Sequence, residues 1–124
     1  MIHADITGKI IQCFYKIYNE LGYGFLEKVY ENSLMIEFVA MRLLCVQQAP
    51  IKVYYQSQKV GNYFADFLVD NKIIVEVKAG NGDILKQHEM QLSNYLKATN
   101  YKVGLILYFG EKPNFKRIIF SNGY

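Results

Sequence analysis

Residues 63–78 read YFADFLVDNKIIVEVK, two apolar runs joined by the turn signal Asp70-Asn71-Lys72. β-branched and aromatic residues fill both runs, so the segment predicts an antiparallel hairpin whose second strand lies near the centre of a sheet. Side chains alternate between the two faces of a strand. This alternation is predicted to place four residues of the first strand on one face: Tyr63, Ala65, Phe67 and Val69.

Three charged residues interrupt these apolar runs, namely Asp66, Glu76 and Lys78. Glu76 and Lys78 are two positions apart and therefore share a face of their strand. A three-residue loop pairs Val69 with Ile73 and places Asp66 directly across from Glu76, with Cβ atoms about 4.5–5.5 Å apart. The hairpin is therefore predicted to bring two carboxylates and one ammonium group together.

Two carboxylates this close repel each other unless a cation lies between them. Oxygen ligands of this kind suit Mg²⁺ or Mn²⁺. A lysine beside such a metal can orient or deprotonate a water, or neutralise negative charge that develops on a phosphate. On composition and spacing alone, an ion pair or a solvated sheet edge explains the three residues equally well, so both interpretations stay open at this point.

The remaining sequence predicts one α/β domain over residues 1–124, with the element order α-α-β-β-β-α-β-β. Apolar residues at helical spacing predict the helices, and β-branched runs predict the strands. The predicted helices cover residues 6–21 with Asp5 as N-cap, 26–41, and a segment from the N-cap Asp83 to Ala98. The predicted strands cover residues 49–54, 60–69, 73–78, 103–109 and 115–121.

Composition narrows the class of protein. The chain has 124 residues, of which 52% are hydrophobic and 20% charged, as in globular proteins. The longest apolar run has about seven residues, too few to span a bilayer, and the first residues show no secretory signal, so we expect a cytoplasmic protein without membrane contact. Two cysteines and two histidines without metal-ligand spacing make a disulfide framework and a zinc site poor explanations. The net charge of +3, without a basic run, permits a nucleic-acid partner but does not require one.

These residues carry a resemblance to a known superfamily. Asp66, then Glu76-Val77-Lys78, then Gln91 and Tyr95 four residues apart on the following helix, resemble the PD-(D/E)XK nuclease superfamily. The upstream segment 24–30, GFLEKVY, is similar to the signature of small bacterial proteins called the GxxExxY family. The resemblance runs from about Ile6 to Phe120. Ala65-Asp66 stands where the superfamily usually has Pro-Asp.

The resemblance implies a fold and a metal site. The implied fold is a mixed sheet flanked by helices, with a restriction-endonuclease-like αβββαβ core and an extra N-terminal helix. Asp66 and Glu76 are implied to bind Mg²⁺ or Mn²⁺, with the Val77 carbonyl as a further ligand. Glu27 is implied to complete the site or to hold a second ion. Lys78 is implied to position the water that attacks phosphorus.

Further side chains receive roles from the same resemblance and from their spacing. Gln91 is expected to hydrogen-bond the carboxylates or a phosphate. His88, one turn earlier, and Tyr95, one turn later, share its helix face and are expected to contact substrate. Tyr30 is also a candidate substrate contact, with its ring in the core and its hydroxyl near the site. Ordinary packing is the competing explanation for each of these residues.

Two functions from different classes follow. The first is a metal-dependent nuclease that hydrolyses phosphodiester bonds in DNA, for which a chain this small favours a homodimer that can reach both strands. The second is a catalytically silent module that keeps the nuclease fold for nucleic-acid binding or protein assembly. A glycosidase with Glu27 and Glu76 as acid and base is disfavoured, because it gives Asp66 and Lys78 no role and carbohydrate sites usually contain Trp, which is absent.

Overall fold

A computed structural model describes residues 2–121. The described elements follow the predicted order of two helices, three strands, a helix and two strands. Their bounds are α1 (Ala4–Leu21), α2 (Glu27–Ala40), β1 (Cys45–Tyr55), β2 (Gln58–Val69), β3 (Ile73–Ala79), α3 (Lys86–Ala98), β4 (Val103–Phe109) and β5 (Asn114–Ile119). None of the helices in this range is long and apolar enough to cross a lipid bilayer.

The strands form one five-stranded mixed sheet in the order β1-β2-β3-β4-β5. β3 and β4 are parallel, and the other neighbouring strands are antiparallel. α3, which connects the two parallel strands, covers one face of the sheet centre, and α1 and α2 cover the other, so every residue of β4 is buried. The predicted single α/β domain with a sheet flanked by helices is confirmed.

The sheet separates two apolar cores. On one face, α1 and α2 contribute side chains such as Phe14, Leu34 and Phe38 to a core that includes Phe67 and Val75. On the other face, α3 packs against the sheet through a smaller set of buried residues: Ile51, Ala65, Ile74, Leu92, Tyr95, Leu96 and Ile106. A site at the end of β3 therefore lies between two rigid layers.

The hairpin formed by β2 and β3 has the predicted three-residue loop, and Val69 pairs with Ile73. Asp70 and Asn71 adopt positive φ angles of 52° and 57°, which Asp and Asn tolerate better than most residues. The ladder continues only as far as Phe67 opposite Val75. β2 then continues beside β1 alone, so the two strands separate into a fork that begins at Asp66.

The predicted single apolar face of β2 is wrong. Phe67 packs in the core under α1 and α2, whereas Ala65 packs in the core under α3, so the strand changes its facing at Asp66. On β1, Gln48 lies between the pairs Gln47–Phe67 and Ala49–Ala65, and it has a φ of 56°. The two strands are therefore irregular at the same level, which a strict alternation cannot predict.

Two predicted helix caps are also wrong. Asp5 lies inside the first turn of α1, because the helix begins at Ala4. The Asp83 side chain accepts hydrogen bonds from the Ile84 amide (2.7 Å) and from Asn114 Nδ2 (2.9 Å), so it ties the loop to β5 instead of starting α3. α3 begins at Lys86, and the N-terminal cap comes from His88, whose Nδ1 accepts from the Leu85 amide at 3.0 Å.

Candidate active site

Asp66 and Glu76 face each other across the mouth of the fork. The Asp66 amide donates to Glu76 Oε2 at 2.7 Å, and the Val77 amide donates to Asp66 Oδ2 at 2.7 Å. Each carboxylate thus replaces a missing ladder bond between the strands. The structure brings the two residues together, as the register predicted, and places the Val77 backbone beside them.

Burial perturbs both carboxyl groups. Loss of solvation and, after it, the charge of Asp66 raise the pKa of Glu76 to about 8, against the opposing effects of the Asp66 amide and Lys78. Burial also raises the pKa of Asp66, although the hydrogen bond from Val77 works against this. The pair therefore resists carrying two negative charges unless a cation is bound.

We predict that the metal-free protein, kept in EDTA, loses stability as the pH rises. A carboxyl group whose pKa is raised in the folded state holds its proton there between the unfolded value of about 4.5 and about 8, so deprotonation over this range favours unfolding. In EDTA, the melting temperature of the wild-type protein should fall by more than about 4 °C between pH 5 and pH 8. Glu76→Gln should flatten this profile.

The comparison with Glu76→Gln also cancels the contribution of His88 to the pH profile, because both proteins contain this residue. Burial lowers the pKa of His88, so this group adds stability as pH rises through its folded value toward its unfolded value, the opposite sign. A wild-type profile no steeper than that of Glu76→Gln would show that Glu76 does not carry the unfavourable charge.

Lys78 is the cation whose charge acts on both carboxyl groups. It follows Glu76 by two positions on β3, and its charge lowers the pKa of both Asp66 and Glu76. Lys78 Nζ makes no salt bridge within residues 2–121, and it donates to Gln91 Oε1 at 3.4 Å. Gln91 is exposed on α3, so its amide holds the ammonium group at the open side of the site.

α2 supplies two further carboxylates. Glu27 is exposed at the first residue of the helix, and its negative charge raises the pKa of Glu76. Glu31, one turn later, is only 4% exposed, and its Oε2 accepts from Gln47 Nε2 (2.6 Å) and Gln48 Nε2 (3.0 Å).

Gln48 links Glu31 to the central pair. Its Nε2 also donates to Asp66 Oδ1 at 3.3 Å, so one amide group bridges two carboxylates. Neither Glu31 nor Gln48 was among the predicted site residues. The spacing of Glu31, four residues after Glu27 on one helix face, was a signal for the first of them. Gln48 carried no such signal, because its position depends on the irregularity in β1.

His88 and Tyr95 lie on the α3 side of the site. His88 Nδ1 accepts a backbone hydrogen bond, and the pKa lowered by burial keeps the ring neutral, so the proton is on Nε2. Burial, then the charges of Glu76 and Asp66, raise the pKa of Tyr95 to about 12, so its hydroxyl stays a donor. Both residues therefore lie near the charged groups, and their expected contact with substrate stays a prediction.

The expected substrate contact at Tyr30 is not supported. Its side chain is fully buried, and its ring stacks on Phe109 with centroids 4.1 Å apart. Its hydroxyl donates to the Gly22 carbonyl (2.8 Å) and accepts from the Phe25 amide (3.2 Å). Tyr30 therefore holds the loop between α1 and α2 against the core.

The site has a pair of carboxylates and not a complete metal cage. Within residues 2–121, no three Asp, Glu, His or Cys side chains converge closely enough to hold an ion by themselves. Mg²⁺ commonly binds through one or two carboxylates and keeps water or substrate phosphate as its other ligands. The donor set, the buried Glu76 carboxylate and the partly buried Asp66 carboxylate, consists of hard oxygen atoms and fits such an ion.

This combination of sheet, forked hairpin and acid–acid–lysine cluster defines a restriction-endonuclease-like fold with the site on its second and third strands. The chain belongs to the PD-(D/E)XK nuclease superfamily, whose family description matches residues 4–118. A comparison with curated proteins gives no match.

Among solved structures, the chain is similar to SSO0001, known from a crystal structure. The two share 18% sequence identity with a TM-score of 0.59, over 74% of this chain and 50% of SSO0001. The matched region thus spans half the length of that protein. At this identity, the likeness supports the fold alone.

Proposed function

We propose that this protein is a metal-dependent nuclease that hydrolyses phosphodiester bonds in nucleic acid, with DNA as the expected substrate. The observation that carries the proposal is the carboxylate pair of partly buried Asp66 and buried Glu76, which face each other across a strand fork and feel the charge of Lys78. A phosphodiester is anionic and water is a poor nucleophile, so hydrolysis needs both positive charge and an oriented water. Superfamily membership supports the same class of reaction.

Asp66 and Glu76 would hold Mg²⁺ or Mn²⁺, the Val77 carbonyl would be a further ligand, and Glu27 would complete the site or serve a second ion. When bound, such an ion neutralises charge on the phosphate and makes water more acidic. The protein's own contribution is to keep two carboxylates close together in a fork, one of them buried, where their repulsion favours a cation.

Lys78 acts on the reacting groups. Its ammonium group orients the attacking water and stabilises negative charge that develops on the phosphate. Gln91 is a positioning residue, because its side-chain oxygen accepts from Lys78 Nζ. His88 Nε2–H and the Tyr95 hydroxyl are donors that can hold a phosphate oxygen in place.

The finer placement in the GxxExxY family is also our proposal, and it rests on Gly24, Glu27 and Tyr30. Of these signature residues in this chain, we assign Glu27 to the metal site. Tyr30 holds the loop that leads into α2 through its bond to Gly22. The homodimer expected from the small size of the chain is needed only if the substrate is a duplex that is cut on both strands.

The test is cleavage of plasmid DNA, single-stranded DNA and RNA in Mg²⁺ or Mn²⁺, with EDTA as the blank. The wild-type protein should cleave at least one of these substrates only with the metal. Glu76→Gln should be inactive, whereas Glu20→Gln, an exposed acid on α1, should match the wild type. Nucleic-acid binding without cleavage of any substrate, unchanged by Glu76→Gln, would support the catalytically silent alternative and overturn the proposal.

A further inference from the structure

An open groove of about 730 Å³ lies between α3 and the half of β1 and β2 beyond the fork. One wall is the face of α3 that carries Gln87, Gln91 and Asn94. The other wall is the two-stranded part of the sheet, which includes Tyr54 and Tyr63. A groove of this volume is in the range of small-ligand and substrate sites.

The strand wall presents aromatic rings to solvent. Tyr54 is 59% exposed and Tyr63 is 52% exposed. A register shift between Val53 and Tyr54 lets both of these neighbours line the groove, where regular alternation would turn one away. Opposite Val53, Gly61 has no side chain, and a Cβ there would come within 3.2 Å of the Tyr63 ring. The Tyr63 ring therefore lies directly against the backbone of Gly61, and a side chain at position 61 would displace it.

The groove is continuous with the candidate active site. Gln91 lines it and also accepts the hydrogen bond from Lys78. Tyr95 lines it as well, and its ring lies 5.8 Å from that of Tyr63. A chain that follows the groove past Tyr63 and Tyr95 arrives at Lys78 and the carboxylate pair.

The charge of the groove suits an anionic chain. Among the described residues that line the groove, only Lys97 is charged, and none has a carboxylate. The apolar walls contribute Val60 and Met90, both largely exposed to solvent. Exposed rings with a cation and no acid are the features of proteins that stack the bases of single strands.

We propose that this groove binds a single-stranded segment of nucleic acid, with unpaired bases stacked on Tyr54 and Tyr63 and the backbone leading to Lys78. Bases in a duplex are already stacked on each other, so only unpaired nucleotides can use these rings. The inference rests on the proposed function for the identity of the reaction. A single-stranded substrate also removes the need for a second protomer to reach a complementary strand.

The test is binding in EDTA, where no metal-dependent cleavage occurs. Fluorescence anisotropy would compare a labelled single strand of about 12 nucleotides, as deoxythymidine or as uridine oligomer, with a hairpin duplex of similar length. The single strand should bind at least about tenfold more tightly than the duplex. The two oligomers distinguish DNA from RNA as the source of the single strand.

The chain offers matched controls for each ring. Tyr55 is 67% exposed and Phe64 is 51% exposed, and neither lines the groove. Tyr54→Ala and Tyr63→Ala should each weaken binding of the single strand by about fivefold to a hundredfold. Tyr55→Ala and Phe64→Ala should leave it unchanged, and Tyr54→Phe, which keeps the ring, should retain wild-type binding.

Three results would overturn the inference. One is equal or tighter binding of the duplex. Another is a loss of binding no greater for Tyr54→Ala and Tyr63→Ala than for their controls, with folding verified by circular dichroism. The third is a dimer that Tyr54→Ala dissociates while oligonucleotide binding is kept, since the groove would then hold a second copy of the chain.

The binding assay and the cleavage assay fail independently. Groove-dependent binding of single strands without metal-dependent cleavage would reject the nuclease proposal and leave the groove assignment standing. Metal-dependent cleavage that is indifferent to Tyr54 and Tyr63 would reject the groove assignment and leave the nuclease standing.

Discussion

Lys78→Ala is expected to lower the metal-dependent cleavage rate by about a hundredfold to a thousandfold. The charge of the ammonium group acts on both carboxyl groups, and no carboxylate within residues 2–121 neutralises it through a salt bridge. Its removal takes away a fixed positive charge from the place where negative charge develops. The measurement is single-turnover cleavage with saturating enzyme and Mg²⁺.

Lys72→Ala is the matched control for this variant. Lys72 is an exposed lysine at the opposite end of β3, in the turn that joins β2 and β3. Its loss should leave the single-turnover rate within about twofold of the wild type, since exposed charges far from the reacting groups are screened by salt. Equal rates for wild type and Lys78→Ala, in a fully folded variant, would remove Lys78 from the reaction.

Tyr30→Ala is expected to lower the free energy of unfolding by about 3–5 kcal/mol. The side chain is fully buried, and its ring stacks on Phe109 at an interplanar angle of 13°. Tyr30→Phe should cost only about 1 kcal/mol, because it loses the hydroxyl bonds to Gly22 and Phe25 but keeps the packing. Urea titration of the three proteins measures both differences.

Tyr30→Phe also separates packing from substrate contact. If the hydroxyl serves the loop between α1 and α2, the folded variant should bind oligonucleotide as tightly as the wild type. A loss of binding above about tenfold in a variant of nearly normal stability would restore the substrate contact expected from the sequence. Tyr55→Phe, at an exposed tyrosine, controls for loss of a hydroxyl as such.

The order of elements and the register of the hairpin were predictable from local sequence. The β-branched run 73–78 and the apolar run 103–109 have the lengths and composition of central strands, and both are buried except at Lys78. The loop 70–72 fixed the pairing of Val69 with Ile73, because a three-residue loop between two alternating strands allows few registers. The meeting of Asp66 and Glu76 followed from this register.

Features that depend on distant residues were not predictable in this way. Asp83 looks like a helix cap in sequence, but it bonds to Asn114, 31 positions away. The change of facing at Asp66 accompanies the irregular conformation of Gln48 on the neighbouring strand. The burial of Glu31 depends on amide groups from β1. Each of these contacts joins separate elements of the fold, so the local sequence around one partner does not predict the other.

Anomalous diffraction from crystals soaked in Mn²⁺ tests the central claim most directly. We predict one peak at coordination distance from both the Asp66 and Glu76 carboxylates, and its loss in crystals of Glu76→Gln. Without the ion, the Asp66 and Glu76 carboxylates accept hydrogen bonds from the Val77 and Asp66 amides. When the ion is bound, each hydrogen bond should either lengthen or be kept by the carboxylate oxygen that does not face the ion. No peak between the two carboxylates in the wild-type crystals, or a peak bound by other residues, would contradict the account.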